Sequence, residues 1–344
     1  MKVGYVYDPV YLKHDTGQHC ETAARLEAII SHLEQSGLKQ QLELIKPRAA
    51  SVEELSLVHD KQHITHIQDV AGKGGGWLDL DTVTSANSYE AAIYAAGGVI
   101  RATEAVMDGE VGSAFALVRP PGHHATAQRA MGFCLFNNVA IATKYALTKY
   151  GLERTLIVDF DVHHGNGTQD TFYDDPQVLY ISTHESPYYP GTGSIGETGS
   201  GTAKGTTVNI PLPAGCGDAE YLEVFEQIIV PVSRRFKPQL ILVSAGYDAH
   251  WADGLAYMQV SVTGFSQMIR TIKGLADDLC NGRLVFSLEG GYNLTLLAAA
   301  IEATFKVLLG NAEIEDPLGQ SSRGFQAPNI APLIKSIKEV HNLA

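Results

Sequence analysis

Cysteine is scarce in this sequence of 344 residues. The four present, Cys20, Cys134, Cys216 and Cys280, lie far apart with no C-x-x-C pair. That spacing excludes a disulfide scaffold and a cysteine-rich zinc module, and it fits a reducing compartment. Positive charge is short as well: 25 Lys and Arg face 38 Asp and Glu, a formal net charge of −13. Proteins that grip nucleic-acid phosphates carry the opposite bias, so no nucleic-acid partner is expected. No apolar stretch approaches the roughly 18 residues a membrane helix needs, so no membrane span is expected either. The opening MKVGYVYDPVYLKHD breaks its apolar run at Asp8, Pro9 and Lys13. Such a run does not make the apolar core of a signal peptide, and the cytoplasm is the expected location. Repeats, charge blocks and low-complexity segments are missing, and 45% hydrophobic content excludes dominant disorder.

What is present is a rhythm of short apolar runs and helix-like stretches. Ala114 to Val118, Thr155 to Val158, Val178 to Ile181, Gln239 to Ser244 and Leu284 to Leu288 read as buried strands. Between them Ser88 to Asp108, Asn138 to Tyr150, Ala219 to Phe236 and Thr263 to Leu279 read as helices. The alternation predicts an α/β fold with a central, mostly parallel sheet covered by helices on both faces. Gly and Pro gather in loops at Gly72 to Gly76 and Pro187 to Gly205, but no linker marks a boundary. One domain over residues 1–344 is expected.

In such a sheet, functional groups collect beyond the carboxyl ends of the strands. Four of the predicted strands run into Arg119-Pro-Pro-Gly-His-His, Asp159-Phe-Asp-Val-His-His, Ala245-Gly-Tyr-Asp248 and Glu289-Gly-Gly-Tyr292. Asp159, Asp161 and His163 alternate along extended chain, so their side chains share one face. Three polar groups there are costly unless paired or bound to a metal. Two readings stand: a hydrogen-bonded cluster capping the next helix, or a metal site completed by Asp248. Three protein ligands and one open position describe a catalytic zinc. His123 and His124 are either loop histidines or a proton-handling pair. Tyr292, after two glycines, is either structural or a donor to a developing oxyanion.

The ordered set R-P-P-G-H-H-A, G-F-C-L-F-N-N, D-x-D-V-H-H-G-N-G-T-Q, Y-Y-P-G-T-G, A-G-Y-D-A-H and L-E-G-G-Y-N-L resembles the zinc-dependent histone deacetylase superfamily. That superfamily also holds acetylpolyamine amidohydrolases and acetoin-utilisation proteins. The resemblance runs from His14 to Asn293. It implies removal of an acetyl or related acyl group from an amine, with acylated lysine or polyamine as substrate. It implies Asp161, His163 and Asp248 as ligands of one Zn²⁺. His124 would be the general base and acid, and His123, held by Asp159, its electrostatic partner. Tyr292 would polarise the acyl carbonyl. Phe133 and Tyr189 would wall the substrate tunnel, with Gly132 as a backbone contact. A structural K⁺ is implied at Asp159, Asp161, His163, Ser182 and Thr183. Asp81, or in second place Asp79, resembles the rim carboxylate that holds the substrate backbone, and Arg25 resembles the Arg of the N-terminal H-P-E-x-P-x-R stretch.

The sequence also departs from the common pattern. Asn166 faces His124 where class I members carry Asp, as in class II-like and bacterial members. Tyr189 stands where Phe is common. Cys20 and Ala23 replace both prolines of the N-terminal stretch. Leu255, seven residues after Asp248, sits where polyamine-preferring members place a carboxylate, so acetylpolyamine hydrolysis ranks second. An arginase-like enzyme with two manganese ions would need another Asp close to Asp248, and the run Ser244 to Asp248 offers one. A non-catalytic acyl-ligand binder would have lost a ligand, His124 or Tyr292, and all are present. The loop Pro187 to Gly205 could serve as tunnel rim or as a homo-oligomer interface.

Overall fold

The computed structural model describes residues 2–321 and 326–344. Its first half contains β1 (Val3–Val6), α1 (Ala24–Gln35), β2 (Glu43–Ile45), α2 (Val52–Leu55), α3 (Lys61–Gly72), β3 (Gly75–Trp77), β4 (Val83–Ser85), α4 (Ser88–Met107), β5 (Ser113–Ala116) and α5 (Asn138–Tyr150). Then come β6 (Thr155–Asp159), α6 (Asn166–Phe172), β7 (Val178–Glu185), β8 (Thr207–Leu212), α7 (Asp218–Val224) and α8 (Val230–Phe236). The chain finishes with β9 (Leu240–Ala245), α9 (Val262–Cys280), β10 (Leu284–Leu288), α10 (Leu294–Leu308) and α11 (Ala331–Val340).

Eight strands form one sheet in the order β2-β1-β5-β10-β9-β6-β7-β8, parallel at every pairing. Every residue of β5, β6, β7, β9 and β10 is buried. A sheet buried on both faces needs helices on both sides, and its strands then read as continuous apolar runs rather than alternating ones. The predicted α/β sheet is therefore present. Strands β9 and β10 insert between β5 and β6, so the chain's direction of travel across the sheet reverses at its centre. A separate antiparallel hairpin, β3–β4, grows from the predicted loop at Gly72 to Gly76.

Local chemistry fixes several entries to helices. Asn137 caps α5 by accepting from the Ala140 amide, and Asn293 caps α10 by accepting from Leu296. The Asn residues of G-F-C-L-F-N-N and G-G-Y-N-L thus start the helices behind the site. The predicted helix Ala219 to Phe236 is broken: α7 and α8 are joined by a wide π-helical turn, Phe225–Ile229. Pro231, in the first turn of α8, has no N–H to donate and its ring crowds the preceding turn, which the wider winding relieves. Among the described residues, no helix is long and apolar enough to cross a membrane. All four cysteines are free thiols.

Candidate active site

The four central strands β5, β10, β9 and β6 end on one side of the sheet, and each feeds one predicted segment into a single depression. Asp161, His163 and Asp248 come together there, with ligand atoms all within 4.8 Å of one another. His163 Nδ1 lies 3.1 Å from Asp161 Oδ1 and 3.2 Å from Asp248 Oδ2. Backbone amides hold the carboxylates in place: His163 N and Gly290 N donate to Asp161, at 2.9 and 2.8 Å, and Val162 N donates to Asp248 Oδ1 at 3.0 Å. Gly246 and Gly290 form the cradle, since a Cβ on either would strike the Asp161 or Asp248 carboxylate.

This set fits a divalent cation. Asp248 Oδ2 is buried without a well-formed hydrogen bond, its nearest cationic neighbour being His163 Nδ1 at 3.2 Å, a costly state for a carboxylate oxygen unless a cation sits beside it. Two oxygens and an imidazole nitrogen are competent zinc donors. Asp161 is held ionised although burial opposes it, because His123 and His163 lie beside it. Burial and the Asp161 charge push Asp248 up to about 6. His163, despite burial, is raised to about 10 by both carboxylates, which shows how strongly this spot attracts positive charge. A second grouping, His123, Cys134 and Glu289, is already committed to other partners. Glu289 accepts from Gly122 N, His123 N and Ser244 Oγ, and the Cys134 thiol donates to Gly132 O. Asp253 Oδ2 accepts from the Tyr292 and Asn293 amides at 2.6 and 3.0 Å, and its Oδ1 is buried without a partner. Among the described residues, Asp253 does not join the Asp161, His163 and Asp248 group as a ligand.

The His123 and His124 rings meet at a tilt of 44° with centroids 4.0 Å apart, yet they meet opposite surroundings. His123 Nδ1 lies 3.1 Å from Asp159 Oδ2. Burial works against its charge, but Asp159 and Asp161 outweigh it and raise the pKa to about 10. His124 Nδ1 lies 2.8 Å from Asn166 Oδ1, which accepts, so Nδ1 carries the proton and Nε2 is left with a lone pair. Burial, then the charges of His123 and His163, hold its pKa well below the usual value. The surroundings thus favour the charged form of His123 and the neutral form of His124.

A cavity of about 250 Å³ opens onto these groups. Phe133, Tyr188, Tyr189, Leu255, Asp81 and Tyr292 are among the residues that line it. The rings of Phe133 and Tyr292 meet edge-on at 5.8 Å, and Tyr189 meets His124 edge-on at 5.1 Å. Gly132 and Phe133 both have positive φ, 55° and 68°, and a Cβ on Gly132 would collide with the His124 ring. Asp81 Oδ1 accepts from the Gly132 amide, whereas Asp79 is paired with Arg129 at 2.7 Å. Of the two rim candidates, Asp81 is the one that lines the cavity. The residues expected for a monovalent cation lie behind, where Asp159 pairs in register with Ser182. Ser182 Oγ is engaged by His184 Nδ1, and Thr183 Oγ1 is buried without a partner.

Three contributors carry no role in the sequence reading. Tyr188 packs on the His163 ring at 5.6 Å and donates its hydroxyl to Leu255 O. Glu289 sits within L-E-G-G-Y, and burial lifts its carboxyl to about 7 while His123 opposes. Glu21 lies at the N-terminal stretch, completely buried between Arg25 and Arg119. Arg25 extends from Glu21 to Gly291 O at 2.7 Å and Glu289 O, with its guanidinium 4.9 Å from the Tyr292 ring. It buttresses the turn that presents Tyr292, a task that needs neither proline of the usual stretch.

Comparison with known proteins agrees with this geometry. A family model described as "Histone deacetylase domain" matches residues 19–308. The chain is 40% identical to histone deacetylase 14, chloroplastic, of Arabidopsis thaliana, over 96% of its own length and 83% of the relative's. It is 43% identical to a probable deacetylase of Archaeoglobus fulgidus, covering 86% and 82%. Among solved structures, the HDA15 HD domain superposes with a TM-score of 0.87 at 34% identity, over 98% of this chain and 95% of that one. The chain belongs to the histone deacetylase family.

Proposed function

We propose that this deacetylase hydrolyses the amide between an acetyl, or related acyl, group and the side-chain amine of lysine. The observation that carries the reading is one narrow aromatic cavity ending at a neutral imidazole, a phenol and a three-donor cation site. Phe133 and Tyr189 pack on the extended methylene stem of the substrate, and Asp81 at the rim accepts from its backbone amides. Zn²⁺ held by Asp161, His163 and Asp248 would supply Lewis acidity toward the acyl oxygen and a water molecule.

The protein's own groups do the rest. His124 Nε2 takes a proton from the attacking water and later returns it to the departing amine. His123, fixed as a cation by Asp159, stabilises negative charge as it builds up nearby. Tyr292 donates to the developing oxyanion, from a position set by Arg25 and Asp253. The K⁺ that the resemblance implies belongs to this reading, on Asp159, Asp161, His163, Ser182 and Thr183, mostly through their backbone carbonyls.

Acetylpolyamines are the second reading, and the apolar Leu255 in the cavity wall counts against a polycationic substrate. Comparing kcat/KM on acetyl-lysine peptides, acetylpolyamines and longer acyl-lysine peptides tests the choice. The acetyl-lysine peptide is expected to lead. A preference of tenfold or more for acetylpolyamine would overturn it.

A further inference from the structure

A large cavity lies at the opposite end of the sheet from the active site. About 1160 Å³ in volume, it opens where β6, β8 and β9 begin, between the segment Gly196 to Thr206 and the chain after α11. In a protein of net charge −13, its lining contains Arg154, Lys204, Arg235, Lys237 and His341, and not one Asp or Glu. These cations are poorly matched. Arg235 spends its guanidinium on the carbonyls of His341 and Asn342, and Arg154 spends Nε on the carbonyl of Lys237. The carboxylate beside Arg154 is the exposed Glu153, 3.6 Å away. A basic cleft without acids focuses a positive potential that attracts anions.

His341 adds a second, independent observation. It is only 3% exposed, it lines the cavity, and both of its ring nitrogens are buried without a hydrogen-bond partner. An unsatisfied buried imidazole marks a missing partner. The lining also includes the apolar Leu179, Val232 and Phe236. A lining that combines cations with apolar side chains suits a ligand with both characters.

We infer that this cavity binds a small organic phosphate, its phosphate held by Lys204, Lys237, Arg154 and His341 and its apolar body packed on Leu179, Val232 and Phe236. Burial and the Arg235 charge keep His341 neutral in the free protein, and a phosphate dianion reverses that balance. Lys237 reaches the cavity from a left-handed position at the end of α8, φ 54°, which Asn also adopts.

The test is calorimetric titration of the full, metal-loaded chain with ADP, pyrophosphate and adenosine as probes. ADP is expected to bind saturably at one site, pyrophosphate at least tenfold more weakly, and adenosine without a detectable signal. The double variant Lys204→Glu/Lys237→Asn should weaken ADP at least tenfold. Both lysines are exposed and remote from the catalytic groups, so deacetylation should stay within twofold. His341→Phe should also weaken ADP while keeping the melting temperature within a few degrees. The inference is overturned if neither ADP nor pyrophosphate binds saturably. It is also overturned if the double variant titrates like the parent, which would place the phosphate at the active-site metal. Pyrophosphate binding as tightly as ADP would remove the organic part of the claim.

Discussion

His124 Nδ1 and Asn166 Oδ1 meet at 2.8 Å, and the neutrality of that partner sets the character of the neighbouring base. Burial already disfavours a charge on His124, and Asn166 fixes the proton on Nδ1 without adding an anion to offset this. Replacing Asn166 by Asp adds that anion, which favours the imidazolium and raises the pKa, by about 1 unit or more. A general base works only when neutral. Asn166→Asp should therefore move the acidic limb of the kcat/KM profile to higher pH, measurable on an acetyl-lysine peptide. A limb that stays in place, together with an active His124→Ala variant, would transfer the proton-handling role to His123.

Tyr292 is expected to act on the transition state rather than on substrate binding. Tyr292→Phe should lower kcat by about 10²–10³, the usual cost of one lost oxyanion donor, with a smaller change in KM. Steady-state kinetics decide it. A variant within a few-fold of the parent would make Tyr292 a structural residue.

Arg25 positions that tyrosine from α1, far away in sequence, so its substitution should affect rate and stability together. Arg25→Met leaves Glu21 with one arginine fewer in a fully buried site. Breaking a buried pair in this way costs about 3–5 kcal/mol. Arg25→Lys keeps a charge but not the two-sided fork that reaches both Gly291 O and Glu289 O. It should lower kcat at least tenfold with a smaller loss of melting temperature than Arg25→Met. Equal kcat in Arg25→Lys and the parent would remove its positioning role.

The histidines outside the site predict an acid-sensitive fold. His59 is locked neutral by two bonds: Nδ1 donates to Thr126 O at 2.9 Å, and Nε2 accepts from the Asn137 amide at 2.8 Å. Burial lowers its pKa to about 3 and that of His14 to about 4. A folded pKa below the unfolded value of about 6.5 means that the unfolded chain binds protons first. The stability is fully present above pH 6.5 and is lost as pH falls toward 4. One unit below 6.5 costs on the order of 1 kcal/mol per histidine. Urea midpoints should fall between pH 6.5 and 5; a flat profile there would contradict the assignment.

The central sheet was legible in the sequence because β5, β6, β9, β10 and the first half of β7 are buried on both faces and so read as mostly apolar runs. The outer strands were not. β2 has three residues, β8 carries Pro211, which fits its place at the edge of the sheet, and β1 is interrupted by Gly4. That glycine leaves room for the Ile45 side chain of β2, a contact visible only after folding. At the site, Asp161, His163 and Asp248 were legible as polar residues ending apolar strands. Glu21 and Tyr188 were not, because each acts through a partner far away in sequence: Arg119 for Glu21, Leu255 for Tyr188.

The central claim is that Asp161, His163 and Asp248 hold one divalent cation on which hydrolysis depends. The direct measurement is deacetylation of an acetyl-lysine peptide before chelation, after chelator treatment, and during titration with Zn²⁺. Activity should vanish with the chelator and return in full at one equivalent of Zn²⁺, and Asp248→Asn should blunt the recovery. Full activity in metal-free protein, or recovery that requires two equivalents, would contradict the account.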